Sequence, residues 1–256
     1  MSSLRLLRVA WLMHVKMMSR SAFDGFLAVL WPLFTATIAF FMFRTGRGAA
    51  ALGPVGLAAA VMGVWTATSV PSSSALQRER WSGTLELLVA SPANFVCVLL
   101  PITLATSTIG LYCIAGTLLW ARFLFGVHIP IVHPLYFAGS IVAVVVTIGT
   151  LGFLMAVGFV RSRRAWSIGA VLEYPIWLVC GFLVPVSLLP HWVRPISWVL
   201  GPTWGMRAIR EAAFGGHPLV PLLICFGLAA VYLAIGSALV NLMLKSARKH
   251  ATLALA

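Results

Sequence analysis

A chain of 256 residues that is 61% hydrophobic and only 9% charged does not read as a soluble domain, which would keep about a quarter of its residues charged. Eighteen Lys and Arg against five Asp and Glu leave a net charge of +13, yet the basic residues sit beside apolar runs rather than on a separate basic domain. That distribution points to lipid headgroups and membrane topology and away from nucleic acid. The class is an integral membrane protein.

Residues 2–20 carry too many charges to cross a bilayer. On a helical wheel Arg5, Arg8, Lys16 and Arg20 share one arc, and Leu4, Leu7, Trp11, Val15 and Met18 gather on a neighbouring face, with Val9 and Leu12 intruding on the basic side. The pattern predicts an amphipathic helix at the membrane interface, either an anchor for the first span or a docking element. No small-residue cleavage site follows a short apolar core, so the segment does not read as a cleavable signal peptide.

Six runs are long and apolar enough to span: 22–43, 53–76, 95–119, 134–160, 166–189 and 219–244. With both termini in the cytoplasm, Arg5, Arg8, Lys16, Arg20, Arg78, Arg80, Arg161, Arg163, Arg164, Lys245, Arg248 and Lys249 lie inside, and Arg44, Arg47, Arg122, Arg194, Arg207 and Arg210 lie outside. The excess of inside charge favours this orientation. Asp24 falls at the inner end of the first run, beside Arg20.

Between the second and third runs lies a polar island, Gln77 to Glu86, closed by Ser91-Pro92. It holds Glu79 and Glu86 in a chain that otherwise avoids carboxylates. A short turn would join two spans, so an amphipathic segment over 77–92 exceeds what topology needs and reads as a contact for a soluble partner. Span two ends in hydroxyls, Thr66, Thr68, Ser69 and Ser72 to Ser74, which either bond across helices or wet a pathway.

Glu173 is the carboxylate well inside a predicted span, followed by Tyr174 and Pro175. An ionisable group at that depth faces a bundle interior or cavity, and Pro175 removes a helix hydrogen bond. Glu173 therefore lines a subunit interface or vestibule, or else pairs structurally with Arg164 or the polar groups of a neighbouring span. Trp31, Trp65 and Trp177 also lie within spans, placed to stack on an amphipathic substrate or to face lipid or a helix partner. The connection 184–218 is too apolar for a solvated loop and too broken by Pro and Gly for one straight helix. Its Trp192, Trp198 and Trp204 suit the headgroup layer, and two short helices dipping into the outer leaflet fit it.

Catalytic parts are absent from the sequence. There is no H-E-x-x-H and no G-x-S-x-G. The four cysteines, Cys97, Cys113, Cys180 and Cys225, stand singly, with neither metal-ligand spacing nor a disulfide framework. A phosphate-binding loop needs Gly-Lys-Ser/Thr, but the lysines are Lys16, Lys245 and Lys249 and none follows a glycine. If ATP drives this chain, another polypeptide brings the ATPase.

The residues Glu79-Arg80, Gly83-Thr84-Leu85-Glu86 and Ser91-Pro92 resemble the cytoplasmic segment of the membrane-spanning permeases of bacterial type-two ABC exporters. The run Leu189-Pro190-His191-Trp192 followed by Gly201-Pro202-Thr203-Trp204 resembles that family's outer segment. The resemblance implies an all-α, polytopic fold in one transmembrane domain over 1–256, with six transmembrane helices, an N-terminal interfacial helix (2–20), a coupling helix (77–92) and a re-entrant outer segment (184–218). It implies a non-catalytic subunit of a bacterial inner-membrane exporter, paired with a second copy or a homologue on two cytoplasmic ATPase subunits that hold ATP and Mg. Coupling would then run through Arg78, Glu79, Arg80, Gly83, Thr84, Glu86, Ser91 and Pro92, and the substrate pathway or dimer interface through Glu173, Tyr174, Pro175, Trp31 and Trp65. The cargo expected is a drug-like or lipid-like amphiphile; a polysaccharide or teichoic-acid precursor, a non-transporting scaffold or immunity subunit, and an intramembrane lipid enzyme are the alternatives.

Overall fold

The computed structural model describes residues 3–20, 30, 33–34, 36–42, 52–75, 83, 95–159 and 164–250, and among them no strand occurs. Among the described residues these α-helices are bounded in chain order: α1 (Ser3–Arg20), α2 (Leu52–Ser73), α3 (Val96–Phe125), α4 (Pro134–Gly158), α5 (Ala165–Val179), α6 (Arg194–Val199), α7 (Gly201–Phe214) and α8 (Leu219–His250), with a 3-10 turn at Val186–Leu188 between α5 and α6. Residues 36–42, within the first expected span, are also helical.

Four of these helices are long and apolar enough to cross a membrane: α2, α3, α4, and α8 from Leu219 to Met243. The first three are apolar all round and largely buried in the bundle, the pattern of interior helices. α8 buries only 28% of its apolar window, so it forms a rim with Leu223, Val231, Ile235 and Leu242 exposed. α4 is the hub, packing on α2, α3, α7 and α8, while α2 also packs on α3 and α5. The core between them gathers Leu57, Val61, Val64, Trp65, Val144, Ile148, Met206 and Ile209.

α1 buries the stripe Leu6, Leu7, Ala10, Trp11, His14, Val15 and Met18 in part, and leaves Arg5, Arg8, Lys16 and Arg20 exposed. Its apolar side runs along α3. Leu7 packs with the cluster of Phe95, Leu99 and Phe153, and the Trp11 indole N–H donates to Thr108 Oγ1 at 3.1 Å. Val9 and Leu12 remain on the exposed basic side, joined by Met13 and Met17.

The expected span 166–189 is corrected to the shorter helix α5. Gly181 adopts a left-handed φ of +74°, which stops the helix, and a Cβ there would approach Val186 within 2.7 Å. The Arg210 guanidinium, on α7, donates to the carbonyls of Gly181 and Phe182 at 3.2 and 3.3 Å, satisfying acceptors left open by the broken backbone.

The segment 184–218 folds into the 3-10 turn and the two short helices α6 and α7. Its depth can be read from its bonds. The Gly201 N–H donates to the Tyr232 hydroxyl at 2.8 Å, and the Tyr232 hydroxyl donates to the Val199 carbonyl at 2.5 Å. Tyr232 lies thirteen residues along α8, about 20 Å from its start. Thr147, whose methyl faces Gly201, lies equally far along α4. At the other end of α7 the Ala212 and Ala213 carbonyls accept from the His133 and Val132 N–H groups at 3.0 and 3.2 Å, beside the start of α4. The α6–α7 break thus sits about 20 Å below the His133 end of the bundle, and α7 climbs back to that end over its 14 residues.

Candidate functional site

The lower half of α2 concentrates hydroxyls in an otherwise apolar helix, and its two faces use them differently. Toward α3 and α4, Thr68 donates to the Val64 carbonyl at 2.7 Å and Ser72 lies 3.2 Å from Thr106. A Cβ on Gly152 of α4 would come within 2.8 Å of the Ser72 hydroxyl. Hydroxyls here let backbones approach and stitch helices together. Toward α5, the row Gly169, Glu173 and Trp177, at helical i, i+4 spacing, lies on α2. Gly169 faces Ser73 and the Ser69 carbonyl, Glu173 accepts a hydrogen bond from Thr66, and Trp177 joins the cluster holding Trp65 and Met62.

Glu173 is 8% exposed. Its seat arises from the register of that row. Glycine at 169 admits α2 closely, so the carboxylate one turn on reaches the Thr66 hydroxyl. That hydroxyl also reaches its own helix, with the Met62 carbonyl 3.1 Å away. Because it carries one proton, it serves Glu173 or Met62 at a time. On the same two helices the Trp65 indole N–H, the Trp177 indole N–H and the Ser69 hydroxyl are buried without hydrogen-bond partners among the described residues. A buried carboxylate and three unspent donors are an unusual concentration of polarity for an apolar helix pair. It can accept a polar group, exchange a proton, or rearrange when the helices shift.

The sequence-predicted trio splits. Glu173 turns inward to α2, whereas Tyr174 (64% exposed) lies on the outer face of α5 with Val171 and Trp166; Pro175 is exposed too. Pro175 leaves the Val171 carbonyl without its helical donor on that same open side. Tyr174 stacks edge-on against Trp177, ring centroids 5.4 Å apart, so it bridges the inner row and the open face. Trp65 is 1% exposed and buried in the core. The alternative of a structural pairing for Glu173 is met by Thr66, a polar group of the neighbouring helix, as one of the two expected forms. Thr66 itself was legible only as one hydroxyl among many.

Trp31 and Asp24 lie outside the described residues, as do Arg78, Glu79, Arg80, Thr84, Glu86, Ser91 and Pro92. Gly83 is described: it is exposed, with φ +68° and no atom of the described residues within 4 Å of where a Cβ would stand. A left-handed glycine in open space marks a turn. Among the described residues no three His, Cys, Asp or Glu side chains gather as metal ligands. A second polar group went unnoticed as a site in the sequence, namely Arg207, Arg210 and Glu211 on α7. The i, i+3, i+4 spacing of Arg207-Ala-Ile-Arg210-Glu211 was the available signal.

These features define a helical membrane component with several helices long and apolar enough to cross a bilayer. The ABC-2 type transporter family model matches residues 5–214, most of the chain, and the protein belongs to that family. No curated protein matches the chain. Family membership makes it a multi-pass membrane permease subunit of an ABC transporter, the transport component that works with an ATPase.

Proposed function

We propose that this chain is the membrane-spanning subunit of an ATP-driven exporter that moves a drug-like or lipid-like amphiphile across the bacterial inner membrane by alternating access. Its own chain holds no cofactor; ATP and Mg belong to two cytoplasmic ATPase subunits, and a second permease copy or homologue completes the pathway. Both termini face the cytoplasm, 1–256 forms one permease domain, and segment 77–92 carries ATPase movement into the membrane. Within it Arg78, Glu79, Arg80 and Glu86 make charge-assisted contacts with the ATPase. Gly83 sets the turn, Thr84 continues the segment, and Ser91-Pro92 restarts the chain as a span.

The single observation that carries the pathway is the Glu173–Thr66 bond between α2 and α5, with the Trp65 and Trp177 indole donors unspent on the same two helices. An ionisable side chain inside an apolar helix pair is costly and marks a functional place by default. Tyr174, Pro175 and Trp31 complete the expected path, Tyr174 and Pro175 on the open face of α5 and Trp31 on the first span. Alternating access requires the two states to differ in free energy, and ATP binding on the partner supplies that difference. The apolar and aromatic character of the α5 face favours an amphiphilic cargo over a polysaccharide.

The test is ATP-driven uptake of a fluorescent amphiphile into inverted membrane vesicles containing the chain and its ATPase. Glu173→Gln preserves shape and hydrogen bonding, so assembly is retained while uptake falls. Unchanged uptake and ATP turnover in that variant would remove Glu173 from the pathway.

A further inference from the structure

α7 carries two arginines on the stretch that climbs back to the His133 end. Arg210 lies four residues and Arg207 seven residues before Phe214, about 6 and 10 Å below the end of the helix. That is the depth at which a lipid phosphate meets the first acyl carbons once the apolar helices are in a bilayer. The two arginines line a cleft of about 430 Å³ between α7 and the 185–187 turn, walled by Trp198 and Trp204. A second cleft of about 450 Å³ lies on the far side of Trp204, Arg207 and Glu211, toward Pro221 of α8.

The donors in this cleft are only partly used. Arg210 places one terminal nitrogen on the Gly181 and Phe182 carbonyls, yet its Nε is buried without a partner among the described residues. Arg207 donates from Nε to Glu211 at 2.7 Å, and its guanidinium stands over the Trp204 ring, 5.8 Å from the centroid. Trp204 is itself fixed by its indole N–H on the Trp198 carbonyl at 2.9 Å. Glu211 is thus an internal stand-in for an anion, held on an exposed arginine whose fork is free to turn. Beside the cleft, Trp198, Val199, Ile196 and Leu188 are exposed apolar side chains, suited to acyl chains below a bound headgroup.

We propose that this cleft binds the phosphate of an anionic amphiphile, with Arg207 leaving Glu211 to pair with it, Arg210 donating its unused N–H, and the Trp198 side taking the chains. Two arginines against one glutamate leave the cleft net positive, and its size is that of an ordinary small-ligand pocket. A fork-shaped donor on an aromatic wall recognises phosphate better than a lysine would. Arg207 and Arg210 stand about 9 and 14 Å above the α6–α7 break, and the cleft is separate from the Glu173–Thr66 pair.

The charges allow a test with opposite signs. The full chain, purified in mild detergent with an equal mixture of phosphatidylglycerol and phosphatidylcholine, is examined by native mass spectrometry for retained lipid. Wild type retains phosphatidylglycerol preferentially. Arg207→Gln lowers that preference about tenfold, the usual effect of losing a hydrogen bond to a charged group. Glu211→Gln raises it, because the internal competitor is gone. Both positions are exposed enough for the variants to fold, whereas Arg210 is left intact because it also caps α5. The same ranking with glycerol 1-phosphate, read by its protection of the chain against thermal unfolding, would keep the anion site and assign it to soluble phosphates; protection absent there assigns it to lipid. Equal retention by wild type, Arg207→Gln and Glu211→Gln would overturn the proposal.

Discussion

Replacing Tyr232 with Phe isolates the bond that holds the α6–α7 break deep in the bundle. The ring is 5% exposed and Phe keeps its volume, so no cavity opens and only the hydroxyl is lost. That hydroxyl serves two backbone groups, donating to the Val199 carbonyl at 2.5 Å and accepting from the Gly201 N–H at 2.8 Å. Hydrogen bonds between helices in membranes average roughly 0.6 kcal/mol, because the alternative state also finds partners. Backbone groups at a helix break differ, since neither finds an i→i−4 partner when the hydroxyl leaves. A stranded buried group costs about 1–3 kcal/mol, and with two groups partly relaxing the expected loss is about 2 kcal/mol. At about 2–4 °C per kcal/mol for a chain of this size, the Tm in detergent falls by about 4–8 °C. The comparison is Thr68→Val, which removes a buried hydroxyl bonded within its own helix to the Val64 carbonyl at 2.7 Å and shifts Tm by less. A fall below about 1 °C for Tyr232→Phe, or an equal fall for both variants, would refute the reasoning.

Thr66→Val leaves a buried carboxylate without its donor and costs about 1–3 kcal/mol, whereas Thr66→Val with Glu173→Leu removes both partners and recovers most of that loss; Tm measurements on wild type, both single variants and the double variant check the cycle. Gly169→Val drives a side chain into Ser73 and the Ser69 carbonyl, so α5 moves off α2 at a cost of about 1–3 kcal/mol. Combining it with Ser73→Ala restores part of the Tm, and a single variant as stable as wild type would mean that α5 does not pack there.

Legibility in the sequence followed the physics of each element. α2, α3, α4 and α8 were visible because twenty or more apolar residues without charge admit little else, and their observed ends lie within a few residues of the expected ones except at the far ends of α3 and α8, which run on to Phe125 and His250. The stripe of α1 was visible in its helical period, including the faulty Val9 and Leu12. The end of α5 was missed because residues 180–189 stay apolar; hydropathy cannot register that Gly181 has turned left-handed. The break of 184–218 into short helices was read from Pro and Gly, but the bonds that hold it at its depth were not, since they depend on Tyr232 meeting Val199 and Gly201 across some thirty residues of chain. Glu173 stood out as a charge in a span, while its partner Thr66 lies 107 residues away and only packing brings the two together. Which face Tyr174, Pro175 and Trp65 present was equally beyond pattern, because the polar residues of α2 fall on more than one face and α5 offers a single carboxylate among apolar residues.

The proposed coupling to a separate ATPase is tested most directly by ATP hydrolysis of this chain co-expressed with its candidate ATPase in lipid nanodiscs. Wild type is compared with the double variant Glu79→Ala/Glu86→Ala. The account predicts co-purification with the ATPase and turnover that the double variant uncouples while the permease stays folded. A stable permease that never captures an ATPase, or turnover and transport indifferent to the loss of both glutamates, would contradict it.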